Sequence, residues 1–257
     1  MPYKIILSYY IKNNLHNKKQ KIVFSYIIKK QTNSLIKTSD KSGLWHLKDV
    51  CASRILNYFN CPTTYETMLN IDGDNYCCSV DFNKMGEDFD SIGSLLGIGE
   101  NNLEENLESL GIMLENLNNG KQFKNFDEMQ KNFLEEYVYS FLIRKYVLAD
   151  KDCWFYNFGI IINTKDNIFR LAPNFDFEYC FGFVHDVFIK QNFQECFVKD
   201  LEFARKQYPK VYEKFYNKIQ EFIDIGKNKP TYARIIEKEI GSGKKSREFI
   251  EDYHYHL

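Results

Sequence analysis

Asp152 and Asn157 stand five positions apart in Asp-Cys-Trp-Phe-Tyr-Asn, and Asp176 closes the downstream segment Ala172-Pro-Asn-Phe-Asp. Phosphoryl transfer from ATP calls for this set of groups, because the protein's task is to place a hydroxyl and to hold divalent metal against a triphosphate. One carboxylate orients or deprotonates the attacking hydroxyl. An amide oxygen and a second carboxylate hold Mg²⁺, which prefers hard oxygen ligands. Asp152, Asn157 and Asp176 fit those three roles in that order. Asp and Asn so spaced commonly do no more than cap turns, so the weight of the pattern rests on its surroundings.

Those surroundings are ordered. Apolar residues at Met129, Phe133, Tyr137 and Phe141 predict a helix with Asp127 as its N-cap, running toward Leu148 and delivering the chain to the Asp152 loop. After the loop, WFYNFGIIINTKDNIFRLAP holds two short apolar runs around a polar turn, which predicts a β-hairpin ending just before Asp176. Leu103, Leu107, Leu110, Leu114 and Leu117 mark an earlier helix, closed by Asn-Asn-Gly at 118–120. The rest of the C-terminal portion reads as mainly helical.

The N-terminal third has another texture. Residues 3–10 and 21–37 are rich in β-branched and aromatic side chains and predict three strands. Leu44, Leu47, Cys51, Ile55, Leu56 and Phe59 trace one stripe of a helix that should stop near Cys61-Pro62. Residues 65–70 and 76–82 then read as strands joined by the Asp-Gly of IDGDN, since hairpin turns need positive φ. The same acidic turn lacks the glycine and the bidentate glutamate of a calcium loop.

Composition narrows the functional classes. With 257 residues the chain is long enough to bury a core unaided, and 44% hydrophobic with 27% charged residues is ordinary globular content, which excludes disordered, collagenous and coiled-coil classes. Lysine plus arginine (34) nearly cancels aspartate plus glutamate (35), so no overall basic field exists to bind nucleic acid, and none is expected as a direct partner. No apolar run approaches the roughly 18 to 20 residues that span a bilayer. The N-terminus reads as an opening strand, neither signal peptide nor anchor, which predicts a cytoplasmic protein with no membrane partner. Seven scattered cysteines predict reduced thiols, and adjacent Cys77 and Cys78 point to opposite faces of a strand, so they would not chelate a metal together. Gly241-Ser-Gly-Lys244 lacks full P-loop spacing and reads as a surface turn, and His254 and His256 as a frayed terminus.

The order helix, D-x-x-x-x-N, β-hairpin, A-P-x-[FY]-D resembles the catalytic half of the HipA-type serine/threonine kinases, bacterial toxin kinases with a protein-kinase-like C-lobe. The resemblance implies an α+β, two-lobed, protein-kinase-like fold, with a reduced β-rich N-lobe over residues 1–85 and a helical C-lobe over 86–257. It implies ATP and Mg²⁺ as cofactors, Asp152 as catalytic base, and Asn157 and Asp176 as metal ligands. Upstream, NSLIKTSD and the helix that follows are similar to the family's nucleotide-lysine strand and αC-type helix. Lys37 would then contact the α and β phosphates, with Asp49 where relatives have the glutamate paired to that lysine; the adenine would pack on residues around Tyr76 to Phe82. The implied substrate is a protein hydroxyl, including that of another copy of the chain. An antitoxin partner, or delivery to a host cell as an effector, also follows from the family.

The chain departs from the family's loop pattern: Asp150 replaces asparagine, Trp154 histidine and Tyr156 a basic residue, and no glycine-rich phosphate loop precedes residue 40. Two other readings therefore stand beside the protein kinase. One is a nucleotide-binding pseudokinase acting as an interaction module. The other is a small-molecule kinase, since one fold serves both substrate classes.

Overall fold

A computed structural model describes residues 34–37, 44–71, 74–84, 86–99, 102–177, 179–181, 187–223, 230–240 and 250. The expected strands before residue 34, the Asp72-Gly73 turn, the Gly241–Lys244 turn and the C-terminal histidines lie outside those residues.

Strand β1 (Ser34–Lys37) leads to helix α1 (Leu44–Tyr58), then β2 (Glu66–Ile71) and β3 (Asp74–Val80). The three strands form an antiparallel sheet in the order β1-β3-β2. β2 and β3 pair from Ile71↔Asp74 to Glu66↔Ser79, the register that the two-residue Asp-Gly connection demands. Helix α1 buries the stripe Cys51, Ala52, Ile55, Leu56 and Phe59. It ends before Cys61-Pro62 because Asn60 turns left-handed at φ 55°, letting the Cys61 N–H reach back to the Leu56 carbonyl at 3.0 Å. Asparagine is the residue after glycine best able to do this.

The second sheet, in the order β4-β5-β6, joins β4 (Glu87–Ser91) to the hairpin β5 (Gly159–Asn163) and β6 (Ile168–Leu171). The hairpin lies where its apolar runs place it. β4 has no such signature: Glu-Asp-Phe-Asp-Ser is too acidic to read as a strand. Its one ring, Phe89, packs edge-on to Phe82 and Phe175 and fills the space a side chain at Gly159 would need.

Helix α2 (Ile92–Leu96) follows β4, and α3 (Leu103–Lys121) is capped by Asn102, whose side chain accepts the Glu105 N–H. The helix does not close at 118–120. It runs on to Lys121, and Gln122 takes the left-handed position from which its N–H donates to the Asn118 carbonyl at 2.7 Å and closes the end, while the Asn118 side chain accepts the Phe123 N–H. Helix α4 (Phe126–Leu142) likewise begins two residues earlier than expected: Asn125 flanks it, and Asp127 sits in its first turn, favourable to the helix dipole without capping. A π-helical turn, Ile143–Val147, extends α4 toward the candidate loop.

Helices α5 (Val187–Gln207), α6 (Pro209–Ile223) and α7 (Thr231–Ile240) complete the described chain. Buried Asp200 on α5 accepts the Leu103 N–H at the start of α3, accepts a hydrogen bond from the Tyr146 hydroxyl and lies 3.5 Å from Lys145, so one carboxylate ties α5 to α3 and to the π turn. Rings of Phe215 and Phe222 on α6 pack on Phe59 and join α1 to the helical lobe. All seven cysteines are free thiols. Among the described residues no helix is long and apolar enough to cross a membrane.

Candidate active site

The π turn matters because of what it buries. Arg144 is fully enclosed, and its guanidinium is ion-paired to Asp150, with Nε 2.7 Å and Nη2 2.6 Å from the carboxylate. Burial by itself lowers an arginine's pKa. The Asp150 carboxylate overrides that and holds the guanidinium's pKa above its ordinary value. The remaining hydrogens go to backbone: Nη1 donates to the carbonyls of Asn157 (2.8 Å) and Phe175 (3.0 Å), and Nη2 to that of Asp176 (3.1 Å). Two segments separated by a whole hairpin are thus gathered on one side chain. A planar cation with five donors can do this; lysine cannot.

Asp152 and Asn157 meet directly. The Asn157 amide nitrogen donates to the Asp152 carbonyl at 2.7 Å and to its carboxylate at 2.9 Å, and the Asp152 N–H donates to Asp150 at 3.0 Å. The amide nitrogen is therefore committed, and the amide oxygen is the atom left to face a ligand. The short helical turn Phe155–Asn157 brings the two residues together. Buried Cys180 and partly buried Cys153 have thiol pKa values pushed up by burial and then by Asp150, which favours the protonated form.

The Ala172–Asp176 segment is fixed from the other side. Asn174 donates to the Pro62 carbonyl (2.9 Å) and Ser140 Oγ (3.1 Å), and its own carbonyl accepts the Thr64 N–H, so the end of α1 is latched to the hairpin's exit. Asp176 then adopts a left-handed φ of 59°, one of the few conformations Asp tolerates where most residues do not. The next N–H, of Phe177, donates to Asp49 Oδ1 at 3.0 Å. Asp49 is buried on α1, not on its outer face, and connects that helix to the residue after Asp176. Lys37 holds the register position opposite Cys77, whose thiol lies within 4.8 Å of the Asp49 carboxylate.

Of the five residues read from sequence, Asp152, Asn157, Asp176 and Asp49 are joined by continuous hydrogen bonds through Arg144 and Phe177, and Lys37 sits one strand from Asp49. Arg144 escaped the sequence reading. Its signal was a charged pair, Arg144-Lys145, inside the otherwise apolar run Phe141–Leu148. A cation in such a place demands a buried partner.

The loop's departures from the family pattern acquire physical roles. Asp150 is the counter-charge of Arg144. Tyr156 is half exposed and packs over Gly93 at the start of α2, where an added Cβ would come within 2.5 Å of its ring and 2.7 Å of its backbone nitrogen. Gly93→Ala is therefore expected to push the 155–157 turn away from Asp152. Stability should fall by about 1–3 kcal/mol as for an overpacked core, and turnover by tenfold or more. Gly111→Ala on α3, where a Cβ meets nothing, supplies the control: thermal denaturation and a turnover assay should show slightly raised stability and unchanged rate.

No family model matches the chain, and no curated protein matches it in sequence. Solved structures do. The chain is similar to a Helicobacter pylori proinflammatory kinase, CtkA, at TM-score 0.53 and 13% identity, over 87% of this chain and 84% of that one. It is similar to HipA of Shewanella oneidensis MR-1, solved with HipB and operator DNA, at TM-score 0.55 and 11% identity, over 87% of this chain and 56% of that one. Both alignments extend well beyond the loop and hairpin that carry the motif. The chain has the two-lobed fold of the HipA-like kinases, with a reduced β-rich lobe and a mainly helical one.

Proposed function

We propose that this protein is an ATP- and Mg²⁺-dependent serine/threonine protein kinase of the HipA-like type. The observation that carries the reading is the clasp just described: one buried guanidinium holds the backbones of Asn157 and Asp176 while the Asn157 amide holds the Asp152 carboxylate. The donor set fits a hard divalent ion, because the Asn157 amide nitrogen is already spent on Asp152 and only oxygens remain to be offered. Asn157 and Asp176 would hold the metal, which supplies charge neutralisation at the phosphates when bound. Asp152 accepts the proton of the attacking hydroxyl and orients it. Lys37 binds the α and β phosphates, and Asp49 holds Lys37 in place across the sheet. The lobe boundary lies at 85/86, with the adenine against the strand residues leading to Phe82.

The substrate in this reading is a protein hydroxyl, on a target or on another copy of the chain. The HipB-bound neighbour supports an antitoxin-type partner, and the proinflammatory neighbour supports action in a host cell as the alternative to the bacterial cytoplasm. Nucleic acid is not expected as a direct ligand of a chain whose charges balance.

The test is transfer of labelled γ-phosphate to protein in the presence of Mg²⁺. Asp152→Ala should lower it by about 10²- to 10⁴-fold, the usual worth of a positioned base, while nucleotide still binds. Equal rates in wild type and variant would refute the assignment. A second reading, a nucleotide-binding pseudokinase, is favoured by exposed Tyr156 where relatives place a cation; binding of ATP with no turnover in the wild type would select it.

A further inference from the structure

We infer that His46, Asp49 and Cys77, with Glu66 beside them, form a zinc-binding site between α1 and the first sheet. One ligand atom from each of the first three lies within 4.8 Å of the others, and all three residues are buried. His46 and Asp49 are three apart on α1 and therefore share a face. Cys77 reaches them from β3. The Cys77 thiol donates to Glu66 Oε2 at 3.2 Å, and Glu66, the first residue of β2, is itself only 1% exposed.

The chemistry of the set selects the metal. One imidazole nitrogen, one thiolate and carboxylate oxygens form a mixed borderline set that suits zinc; magnesium or calcium would not take a sulfur ligand, and copper(I) would prefer more sulfur. In a tetrahedral zinc site the ligand atoms lie about 3.4 to 3.6 Å apart, as follows from bond lengths of about 2.0 to 2.3 Å. Spacings of at most 4.8 Å need a contraction of no more than about 1.3 Å to reach that geometry. On binding, the Cys77 sulfur–hydrogen bond is exchanged for a sulfur–zinc bond and its proton leaves to solvent. Glu66 Oε2 no longer receives that hydrogen, and His46, Asp49 and Cys77 would be the three side chains that hold the ion.

The site would also control the candidate active site. Asp49 Oδ1 holds the Phe177 N–H immediately after Asp176, and Lys37 occupies the register position opposite Cys77. Zinc on Asp49 takes that carboxylate away from Lys37, so metal-loaded protein binds nucleotide more weakly. This regulatory consequence, unlike the site itself, rests on the kinase reading.

The experiment begins with cobalt(II) as a spectroscopic stand-in, titrated into the full-length, reduced, metal-free chain without nucleotide. A thiolate-to-cobalt charge-transfer band and intense tetrahedral d–d bands should grow to one equivalent and vanish on adding zinc. Cys77→Ser and His46→Gln should abolish them, while Cys78→Ser, on the opposite face of the same strand, should leave them intact. Circular dichroism would show that the variants are folded. Absence of the bands in the wild-type chain, or their survival in Cys77→Ser, overturns the site. Because no nucleotide is present, either result leaves the kinase assignment standing. A second arm measures nucleotide affinity with and without zinc: weakening of tenfold or more in the wild type but not in Cys77→Ser supports competition for Asp49, and equal affinities refute it.

Discussion

Arg144→Met is expected to cost about 3–5 kcal/mol of folding stability, because it leaves Asp150 as an uncompensated buried charge. Against a typical total of about 5–15 kcal/mol this alone can unfold the chain. The informative variant is therefore the double substitution Arg144→Met with Asp150→Leu, which replaces the ion pair by apolar groups; such replacements are often neutral or stabilising. The double variant should be more stable than either single one in chemical denaturation. If the chain is the kinase proposed above, phosphoryl transfer by the double variant should nevertheless remain depressed by at least about a hundredfold, since the carbonyls of Asn157, Phe175 and Asp176 have lost their common donor. The loss should fall on kcat more than on nucleotide affinity, which separates a positioning role from general damage. A double variant that is stable and fully active would show that Arg144 only fills space.

Asn157→Asp should be nearly as severe, for a different reason. The amide nitrogen sits 2.9 Å from the Asp152 carboxylate, and the substitution puts a second carboxylate oxygen in its place. Two carboxylates at that distance share a proton over a range of pH where each alone would be ionised. In the proposed kinase, an Asp152 that shares a proton with residue 157 is a poorer base, so the acid limb of the pH–rate profile should move to higher pH and the rate at neutral pH fall by about 10²-fold or more. Metal affinity should not fall in parallel, because an oxygen ligand is retained. An unshifted profile would contradict the contact; an unchanged rate would remove Asn157 from the machinery. Asn157→Ala, which opens the clasp without adding charge, should lower the rate with no such shift.

Each element legible in the sequence had a local cause. Helix α1 and the leucine helix α3 showed because their apolar stripes are nearly uninterrupted, and the β5–β6 hairpin because two β-branched and aromatic runs flank a polar turn. What failed was local competition. The left-handed residue that closes α3 is Gln122, whose N–H reaches the Asn118 carbonyl, so Gly120 stays helical, and Asn125 takes the flanking position that Asp127 was expected to hold. β4 was invisible because a strand of alternating acids is stabilised by its neighbour β5 and not by its own propensity.

The candidate site divides along the same line. Asp152, Asn157 and Asp176 could be singled out from sequence because phosphoryl transfer would restrict residue type and order along the chain, and the structure brings the three together through a short loop, a hairpin and Arg144. Residue type alone also marked Lys37 and Asp49 by resemblance. Only the folded chain could show that Asp49 turns inward to hold the residue after Asp176, that Cys77 comes to rest beside it, and that Arg144 gathers segments far apart in sequence. The physical reason is that a buried charge has no periodicity to announce its partners: hydrophobic burial repeats along a helix or strand, whereas the acceptors satisfying one guanidinium are fixed by where the backbone crosses in space.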